Sequence, residues 1–472
     1  MRCMAGLLNP GKTEDRKLNA KNRGSFSGKL GYILAAAGAS VGLGNIWRFP
    51  YLAAKHGGGM FLLVYIVLAL TFGYTMIIAE TAIGRRTGKS PVGAFKMFGK
   101  SGADTAGGWI NAIIPMLIVP YYSVIGGWVC KYLYAFLFTD LEKVASDSFF
   151  TDFITNGPQT VLWFAVFAVL VLVTIFMGVK NGIELVSRIM MPILVVLAAF
   201  ICIYSVSRPG ALEGVRYFLI PDFTHFSWKT VAAAMGQMFY SLSIAMGILI
   251  TFGSYMKKDV SIDDSTMQVE LFDTGIAVIA ALMIIPAVFA FSKGDAEALN
   301  KGPSLMFVTM PKIFESMGAG RLIGILFFLL VLFAALTSAI ALTESVVATF
   351  SDEFGWNRSI CVMMTGIIII ALGLLSCLGY GPLAAVKIIG MQFLDFFDFL
   401  TNSVMMPIAA LAICLYVTRR MGLNRVDEEV TTGGAPFRRR KVFRFMIRYI
   451  CPLFVMIILI SSVAEAFGWV QF

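Results

Sequence analysis

The first long apolar segment of the chain contains groups that could bind an ion. The stretch A-S-V-G-L-G-N-I-W-R-F-P, from Ala39 to Pro50, places glycines, an asparagine and an arginine inside a segment that is otherwise apolar. The glycines allow a break in the helix, and irregular backbone is tolerated at membrane depth only where it lines a cavity. Carbonyl groups exposed by such a break are suitable ligands for cations, and helix N-termini there can receive an anionic group.

A second stretch of this kind, S-L-S-I-A-M-G from Ser241 to Gly247, lies in the sixth apolar segment. Small residues also allow close helix packing, which would be the simpler explanation for one cluster alone. Two clusters at matching positions, in the first and sixth segments, favour two broken helices in two inverted repeats. The two breaks would then face each other near the middle of the membrane.

Further polar side chains in apolar segments are functional candidates, because ionisable groups are costly in lipid. Thr337 and Ser338 offer adjacent hydroxyls, although such hydroxyls often bond to their own helix. The ionisable residues of this set are Glu80, Arg48, Asp273, Glu344, Asp395 and Asp398. The two histidines are far apart in the sequence and the seven cysteines form no C-x-x-C pair, so a His- or Cys-based metal site is not expected.

The composition indicates a membrane protein with many spans. Of the 472 residues, 58% are hydrophobic and only 14% are charged, and the mean hydropathy is +0.81. A soluble protein has about a quarter charged residues, so this chain could not cover itself with polar surface. The apolar segments, eleven in number and each long enough to cross a bilayer, are about 30–53, 59–84, 106–138, 159–178, 183–205, 229–255, 267–291, 321–350, 359–378, 383–417 and 442–468.

The net charge of +10 comes from basic residues in the N-terminal tail and in alternate loops. This is the positive-inside pattern, so we expect a bilayer and not a nucleic acid as the partner. It predicts a cytoplasmic N-terminus and, with an odd number of spans, an extracellular C-terminus. The predicted parts are a tail (1–29), two repeats (30–205 and 229–417), an external lid loop (292–320) and helix 11 (442–468). The loop Gly422–Phe437 contains T-T-G-G-A-P and is expected to be flexible.

These motifs together resemble the neurotransmitter:sodium symporter family over about residues 23–465. The longest is G-A-S-V-G-L-G-N-I-W-R-F-P-Y in the first segment, and the others are H-G-G-G-M-F, P-Y-Y-S-V, G-Q-M-F-Y-S-L-S, L-T-S-A-I and D-F-L-T-N. The resemblance implies an all-α membrane protein with the leucine-transporter fold, a 5+5 inverted repeat with helices 1 and 6 unwound. The short termini and small second external loop favour the plasma membrane of a prokaryote.

The resemblance also implies two sodium sites. The first would use the Ser40 carbonyl, Asn45, Ser241 and Asp273, with a one-residue gap in the alignment of helix 7. The second would use the carbonyls of Gly38, Val41 and Ala334 with the hydroxyls of Thr337 and Ser338. Arg48 and Asp398 would form an extracellular gate through water, and Arg23, Phe26, Tyr255 and Asp352 a cytoplasmic gate.

The implied substrate pocket has an apolar wall and a few polar groups, which suits a hydrophobic amino acid. Its residues would be Ala39, Ser40, Leu43, Gly44, Ile118, Tyr122, Tyr240, Ser241, Ser243, Met246, Ser338 and Leu342. Monoamine carriers of the family have Asp where this chain has Gly42, so we expect a substrate that brings its own carboxylate. An adaptable Met246 favours a broad pocket that accepts aromatic side chains.

The predicted function is sodium-coupled import of hydrophobic or aromatic L-amino acids by alternating access. Asp273 would supply a fixed negative charge that makes chloride unnecessary. A carrier of another small zwitterion or osmolyte stays open, as does a channel or ligand sensor with the same fold. A membrane enzyme is not expected, because no nucleophile–base motif is evident. The chain has no helix 12, so a monomer or weak dimer is expected.

Overall fold

The computed structural model describes residues 24–99, 101–292 and 304–466. These residues are helical almost throughout, with two isolated β-bridges and no longer strand among them. Nine of their helices are each long and apolar enough to cross a membrane. Helices Lys29–Ser40 and Gly44–Lys55, bent by 52° at a short break, bring the number to ten if the pair is one span.

The connections between the nine long helices differ widely in length, from two residues between Phe176 and Val179 to residues 207–261 between Val206 and Ile262. The helices are Gly59–Thr87, Gly102–Phe138, Gly157–Phe176, Val179–Val206, Ile262–Ser292, Gly320–Phe354, Arg358–Leu378, Phe393–Met421 and Arg440–Ala464. The sixth apolar segment forms two helices, Trp228–Ser241 and Ile248–Tyr255, each too short to cross a membrane alone. The number of membrane spans reaches the predicted eleven only if this second pair is also one span. The count of eleven therefore stays a prediction.

Both predicted breaks are present. In the first, residues 41–43 interrupt the helix, and the Gly42 amide donates to Asn45 Oδ1 at 3.0 Å. In the second, Ser243 and Ala245 have positive φ angles of 53° and 59°, which are strained for residues with a Cβ. The Ala245 amide donates to Oε1 of the fully buried Glu80 at 2.7 Å. Glu80 on helix Gly59–Thr87 thus supports the strained backbone of the second break.

Helix Ile248–Tyr255 lies against Gly59–Thr87 at backbone distance. A Cβ atom at Gly84 would stand 1.9 Å from the Ile250 carbonyl oxygen, and one at Gly253 would stand 2.5 Å from the Thr81 carbonyl oxygen. Small residues at membrane helix contacts allow this approach. The two glycines therefore set how closely the helix after the second break can pack.

Replacing Gly84 with alanine should destabilise this contact. The added Cβ can be accommodated only if backbone moves, and overpacking of this kind costs about 1–3 kcal/mol or more. The measurement is the thermal unfolding midpoint of purified protein in detergent. Gly275→Ala is the control, because a Cβ there meets no atom within 4 Å. Equal midpoints for the two variants would contradict the packing argument.

The predicted lid loop 292–320 is described from residue 304 onward. It contains the short helix Met310–Glu315, preceded by one turn at Leu305–Thr309. Tyr132 donates its hydroxyl to the Phe307 carbonyl at 2.7 Å, and the Phe307 ring stacks on Phe150 at 5.1 Å. This half of the loop is therefore packed against helix Gly102–Phe138 and the segment after it. Residues 293–303 lie outside the described residues, and the lid role stays a prediction.

The loop Gly422–Phe437 was expected to be flexible, but much of it is helical. Helix Leu423–Val430 carries Glu429, whose side chain is 1% exposed and accepts from Arg85 Nε at 2.8 Å. Lys258 also pairs with Glu429. Burial alone would raise the pKa of Glu429, but the hydrogen bond and charge of Lys258, with those of Arg85, lower it below its usual value. The loop is thus fixed to the end of helix Gly59–Thr87.

Replacing Glu429 with glutamine should destabilise the protein by about 3–5 kcal/mol, because it leaves the buried Arg85 charge without a carboxylate. Unfolding by denaturant measures the loss, and Glu428→Gln, at an exposed neighbour, is the control. Because folding lowers the pKa of Glu429, its contribution to the stability of the fold is present above its unfolded pKa of about 4.3. That contribution is lost as the pH falls through the folded-state pKa. The difference from wild type should therefore shrink in acid; a difference independent of pH would contradict this origin.

Candidate functional site

The two helix breaks meet at a buried cluster of oxygen and amide groups. Asn45 Nδ2 donates to Asp273 Oδ1 at 2.7 Å and to Ser241 Oγ at 3.0 Å. The Ser241 hydroxyl donates to the Asp273 carboxylate at 3.0 Å. Asn45 and Asp273 are both fully buried. Three residues that are far apart in the sequence are therefore in contact here.

Tyr65 adds a further donor to this cluster, since its hydroxyl donates to Asp273 Oδ2 at 3.1 Å. Ser40 ends helix Lys29–Ser40, and its hydroxyl donates to the Ala36 carbonyl at 3.2 Å. Carbonyls in the last turn of a helix lack helical donors, and Ser40 is the last residue of its helix, so the type of group predicted for the first sodium site is present there. The set of amide, hydroxyl, carboxylate and carbonyl oxygens fits a hard cation such as sodium.

A second group of oxygens lies between the first helix and helix Gly320–Phe354. The Ser338 hydroxyl is 3.2 Å from the carbonyl oxygens of both Gly38 and Val41. The neighbouring Thr337 hydroxyl donates within its own helix, to the Ala334 carbonyl at 3.2 Å and to the Phe333 carbonyl at 3.0 Å. All five residues predicted for the second sodium site are therefore brought together, and their oxygens also suit a hard cation.

A small cavity of about 20 Å³ adjoins both clusters. The Tyr122 hydroxyl accepts from the Leu43 amide at 3.3 Å, and the Ser243 hydroxyl donates to the Ala39 carbonyl at 3.0 Å. Gly42, which the pocket prediction omitted, also lines the cavity. Its full lining is Ala39, Ser40, Gly42, Leu43, Gly44, Ile118, Tyr122, Tyr240, Ser241, Ser243, Met246, Ser338 and Leu342. All twelve predicted pocket residues therefore share one cavity.

A second cavity of about 260 Å³ lies on the far side of Tyr240, which lines both. Its wall includes Arg48 and Asp398, the residues predicted for the extracellular gate. The Arg48 guanidinium lies over the Tyr240 ring at 5.2 Å, and Asp398 accepts from the Tyr121 hydroxyl at 3.2 Å. The structure thus places the predicted gate pair around one cavity, without a direct ion pair between them among the described residues.

The residues predicted for the cytoplasmic gate are only partly brought together. The Phe26 amide donates to the Tyr255 carbonyl at 3.3 Å, and their rings are 6.1 Å apart. Asp352 accepts from the Ser90 amide at 2.6 Å. Arg23 lies outside the described residues, so its place in the cytoplasmic gate stays a prediction.

Sequence reasoning missed the partner of Tyr255 in this region. Its hydroxyl donates at 2.8 Å to Oε1 of the buried Glu344, which also forms an ion pair with Arg358 at 2.6 Å. Glu344 had been singled out as ionisable at membrane depth, and that signal could have placed it in the gate. Tyr65 and Gln237 were also missed; Gln237 Nε2 donates to the Gly44 carbonyl at 2.9 Å. A single Tyr or Gln in an apolar segment gives little indication of which groups it will contact.

A family model described as the sodium:neurotransmitter symporter family matches residues 23–152 and 149–468. The chain belongs to the sodium:neurotransmitter symporter family. An uncharacterised sodium-dependent transporter of Bacillus subtilis, YhdH, is 33% identical over 445 residues, covering 93% of this chain and 97% of that protein. A sodium- and chloride-dependent GABA transporter of Drosophila melanogaster is 26% identical, covering 87% of this chain and 48% of that protein.

The fold of this symporter is similar to a solved structure of the family. The crystal structure of MhsT in complex with L-phenylalanine aligns with a TM-score of 0.84 and 36% identity, covering 93% of this chain and 100% of that one. This confirms the predicted leucine-transporter fold and the transporter class. The chain is therefore a sodium-dependent membrane transporter and not an enzyme.

Proposed function

We propose that the chain imports hydrophobic and aromatic L-amino acids with sodium, by alternating access and without chloride. One observation carries this proposal: a single cavity is walled by both helix breaks and adjoins both oxygen clusters. A molecule in that cavity would contact the groups that hold the ions. Two sodium ions would bind, the first at Asn45, Ser241, Asp273 and the Ser40 carbonyl, the second at Gly38, Val41, Ala334, Thr337 and Ser338.

Coupling would arise from a shared carboxylate. The amides of Leu43 and Gly44 and the Tyr122 hydroxyl would hold the substrate's carboxylate, next to Asn45 and Ser241. The carboxylate would then complete the first sodium site, and sodium would complete the substrate site. Such coupling between ligands acts equally in both directions. Each sodium ion that enters gains about 2.3 kcal/mol per 100 mV of membrane potential.

The apolar wall supports a hydrophobic side chain. Ile118, Met246 and Leu342 line the cavity together with a few polar groups, as is usual for sites that bind small apolar ligands. At about 20 Å³ the cavity has room for about one water molecule. A substrate therefore requires movement of side chains, for which the unbranched Met246 is suited. The similarity to MhsT, whose structure contains L-phenylalanine, supports aromatic substrates.

Independence from chloride is supported by the surroundings of Asp273. Its carboxylate accepts from three donors, on Asn45, Tyr65 and Ser241. A carboxylate at this position would supply the negative charge beside the sodium ion. Carriers that lack the acid need a bound anion to supply that charge.

Transport would proceed by movement of one repeat against the other around a fixed site. The proposal takes residues 30–205 and 229–417 as the two repeats, followed by the helix at 442–468. Arg48 and Asp398 would close the outside above Tyr240 and Tyr122, while Arg23, Phe26, Tyr255 and Asp352 would close the cytoplasmic side. The protein would act as a monomer or weak dimer in the plasma membrane of a prokaryote, with its N-terminus cytoplasmic and C-terminus extracellular.

Binding of radiolabelled leucine and tryptophan to the purified protein, in sodium and in potassium, tests this function. We expect saturable binding only in sodium, and uptake by proteoliposomes with similar concentration dependence. Saturable binding without uptake would indicate a sensor. Competition by betaine but not by amino acids would indicate an osmolyte carrier. Either result would contradict amino-acid symport.

A further inference from the structure

Helix Lys29–Ser40 begins without a capping group from its own segment. Gly28 stands at its N-cap position and supplies no side-chain acceptor, and no acidic residue lies in its first turn. The amides that begin a helix lack helical acceptors and carry partial positive charge, so a carboxylate near them is stabilising. This helix is the part of the first broken span that precedes the break, and it carries the proposed sodium ligands Gly38 and Ser40. The group that caps it therefore bears on the transport site.

The carboxylate comes from Glu184, near the start of the span Val179–Val206. The Ser27 amide donates to Glu184 Oε2 at 2.8 Å, and the Ser27 hydroxyl donates to Oε1. A Cβ atom at Gly31 would stand 2.4 Å from Glu184 Oε1, so the carboxylate lies directly against the first turn of helix Lys29–Ser40. Glu184 is only 3% exposed. We call the contact of Glu184 with Ser27 and Gly31 the carboxylate clasp.

Ser27 supplies the main donors to the Glu184 carboxylate. Arg188, one turn along the same helix, also pairs with Glu184 at 3.3 Å. The side chain of Arg188 is 52% exposed, and an ion pair with so exposed a partner contributes little. A buried carboxylate that loses its hydrogen-bond donors is costly. Separation of Ser27 from Glu184 is therefore unfavourable, and the clasp favours the observed position of helix Lys29–Ser40.

The other end of helix Lys29–Ser40 lies against the second oxygen cluster. A Cβ atom at Gly38 would stand 3.2 Å from Thr337 Cβ and 3.5 Å from Met191 Sδ. Met191 lies on the same span as Glu184, so this span contacts the helix near both of its ends. Because one continuous helix joins the clasp to Gly38, displacement of the start of the helix also displaces the carbonyl groups at its end.

We propose that Glu184 is a positioning residue of the transport cycle, and that its clasp on Ser27 keeps the sodium-binding part of the first helix closed toward the cytoplasm. The inference rests on the proposed function, because it gives the clasp a part in alternating access. The clasp breaks when Gly38 opens to the cytoplasm, and it forms again as the site closes. Glu184 acts from a different span than the predicted gate residues Phe26 and Tyr255, so it adds a separate contact to that gate.

Hydrogen–deuterium exchange of the purified full-length protein, read by mass spectrometry, tests the clasp in wild type and Glu184→Gln. Glutamine keeps an acceptor oxygen but removes the charge, and a hydrogen bond to a charged group is about twice as strong as a neutral one. In potassium we expect exchange of residues 29–36 to be about five- to tenfold faster in the variant. Saturating sodium should slow it again, because sodium binds the closed helix, whereas a merely structural defect would not respond. Glu213→Gln, at an exposed acid, is the control and should exchange as wild type does.

A second variant, Ser27→Ala, covers the case in which Glu184→Gln does not fold, because it removes only the hydroxyl donor of an exposed residue. Ser25→Ala, at an exposed serine two residues earlier, is its matched control. We expect faster exchange that sodium reverses in Ser27→Ala and wild-type exchange in Ser25→Ala.

Two results would overturn the clasp. One is exchange of residues 29–36 in a folded Glu184→Gln or Ser27→Ala protein that equals wild type. The other is faster exchange in these variants that sodium does not reverse, although sodium slows exchange in wild type. If sodium left exchange in wild type unchanged, sodium binding at this helix would itself be contradicted, and the role of the clasp with it.

Discussion

Replacing Asp273 with asparagine is expected to make transport dependent on chloride. The carboxylate accepts hydrogen bonds from Asn45, Tyr65 and Ser241, and an amide provides only one acceptor oxygen and no charge. A carboxylate at about 4 Å from a cation contributes about 4 kcal/mol at an effective dielectric constant of 20. Uptake in chloride-free medium should therefore fall at least about tenfold. The donors left behind would suit an added anion, so chloride should restore part of the loss.

The measurement is amino-acid uptake by proteoliposomes in chloride and in gluconate. Wild type should transport equally in both. Asp264→Asn is the matched control, because it removes a carboxylate from the start of the same helix, and it should also transport equally in both media. Full activity of Asp273→Asn in gluconate would show that the acid has no part in sodium binding.

Replacing Gly42 with alanine is expected to block the substrate carboxylate. A Cβ atom at Gly42 would stand 2.6 Å from Ser338 Oγ and 3.0 Å from the Tyr122 hydroxyl. Tyr122 is a proposed carboxylate ligand, and Ser338 a proposed ligand of the second sodium ion. Overpacking here costs about 1–3 kcal/mol, so apparent substrate affinity should fall about five- to 150-fold.

Sodium-dependent binding of labelled substrate to purified Gly42→Ala measures this effect, with thermal unfolding as a check on folding. Gly28→Ala is the control, since it precedes the same helix and its added Cβ meets no atom within 4 Å. If the folded Gly42→Ala protein bound the substrate with wild-type affinity, the substrate could not bind in this cavity as proposed.

The breaks and the pocket could be predicted because their signals are local. The glycines before Asn45 and the small polar run after Ser241 are unusual within an apolar segment, and the backbone breaks at both. The family resemblance then supplied which residues lie across the cavity. Glu80 was recognised as a buried acid, but nothing near it in the sequence indicated that it supports Ala245.

Other contacts could not be predicted, because they depend on how distant helices dock. Arg85 and Glu429 are 344 residues apart, and each sits in a stretch of charged residues that is typical of an exposed loop. The helix at Leu423–Val430 is short and preceded by glycine, so its sequence alone predicts weak helicity. Burial against the end of helix Gly59–Thr87 decides that this segment is helical.

The central claim is that one cavity couples an amino acid to sodium. Uptake of radiolabelled hydrophobic amino acids, tryptophan and leucine included, into proteoliposomes with and without an inward sodium gradient tests it most directly. The account predicts uptake that requires sodium, is equal in chloride and gluconate, and is lost in Asn45→Ala. Uptake that ignores the sodium gradient, or none for any amino acid in the panel, would contradict it.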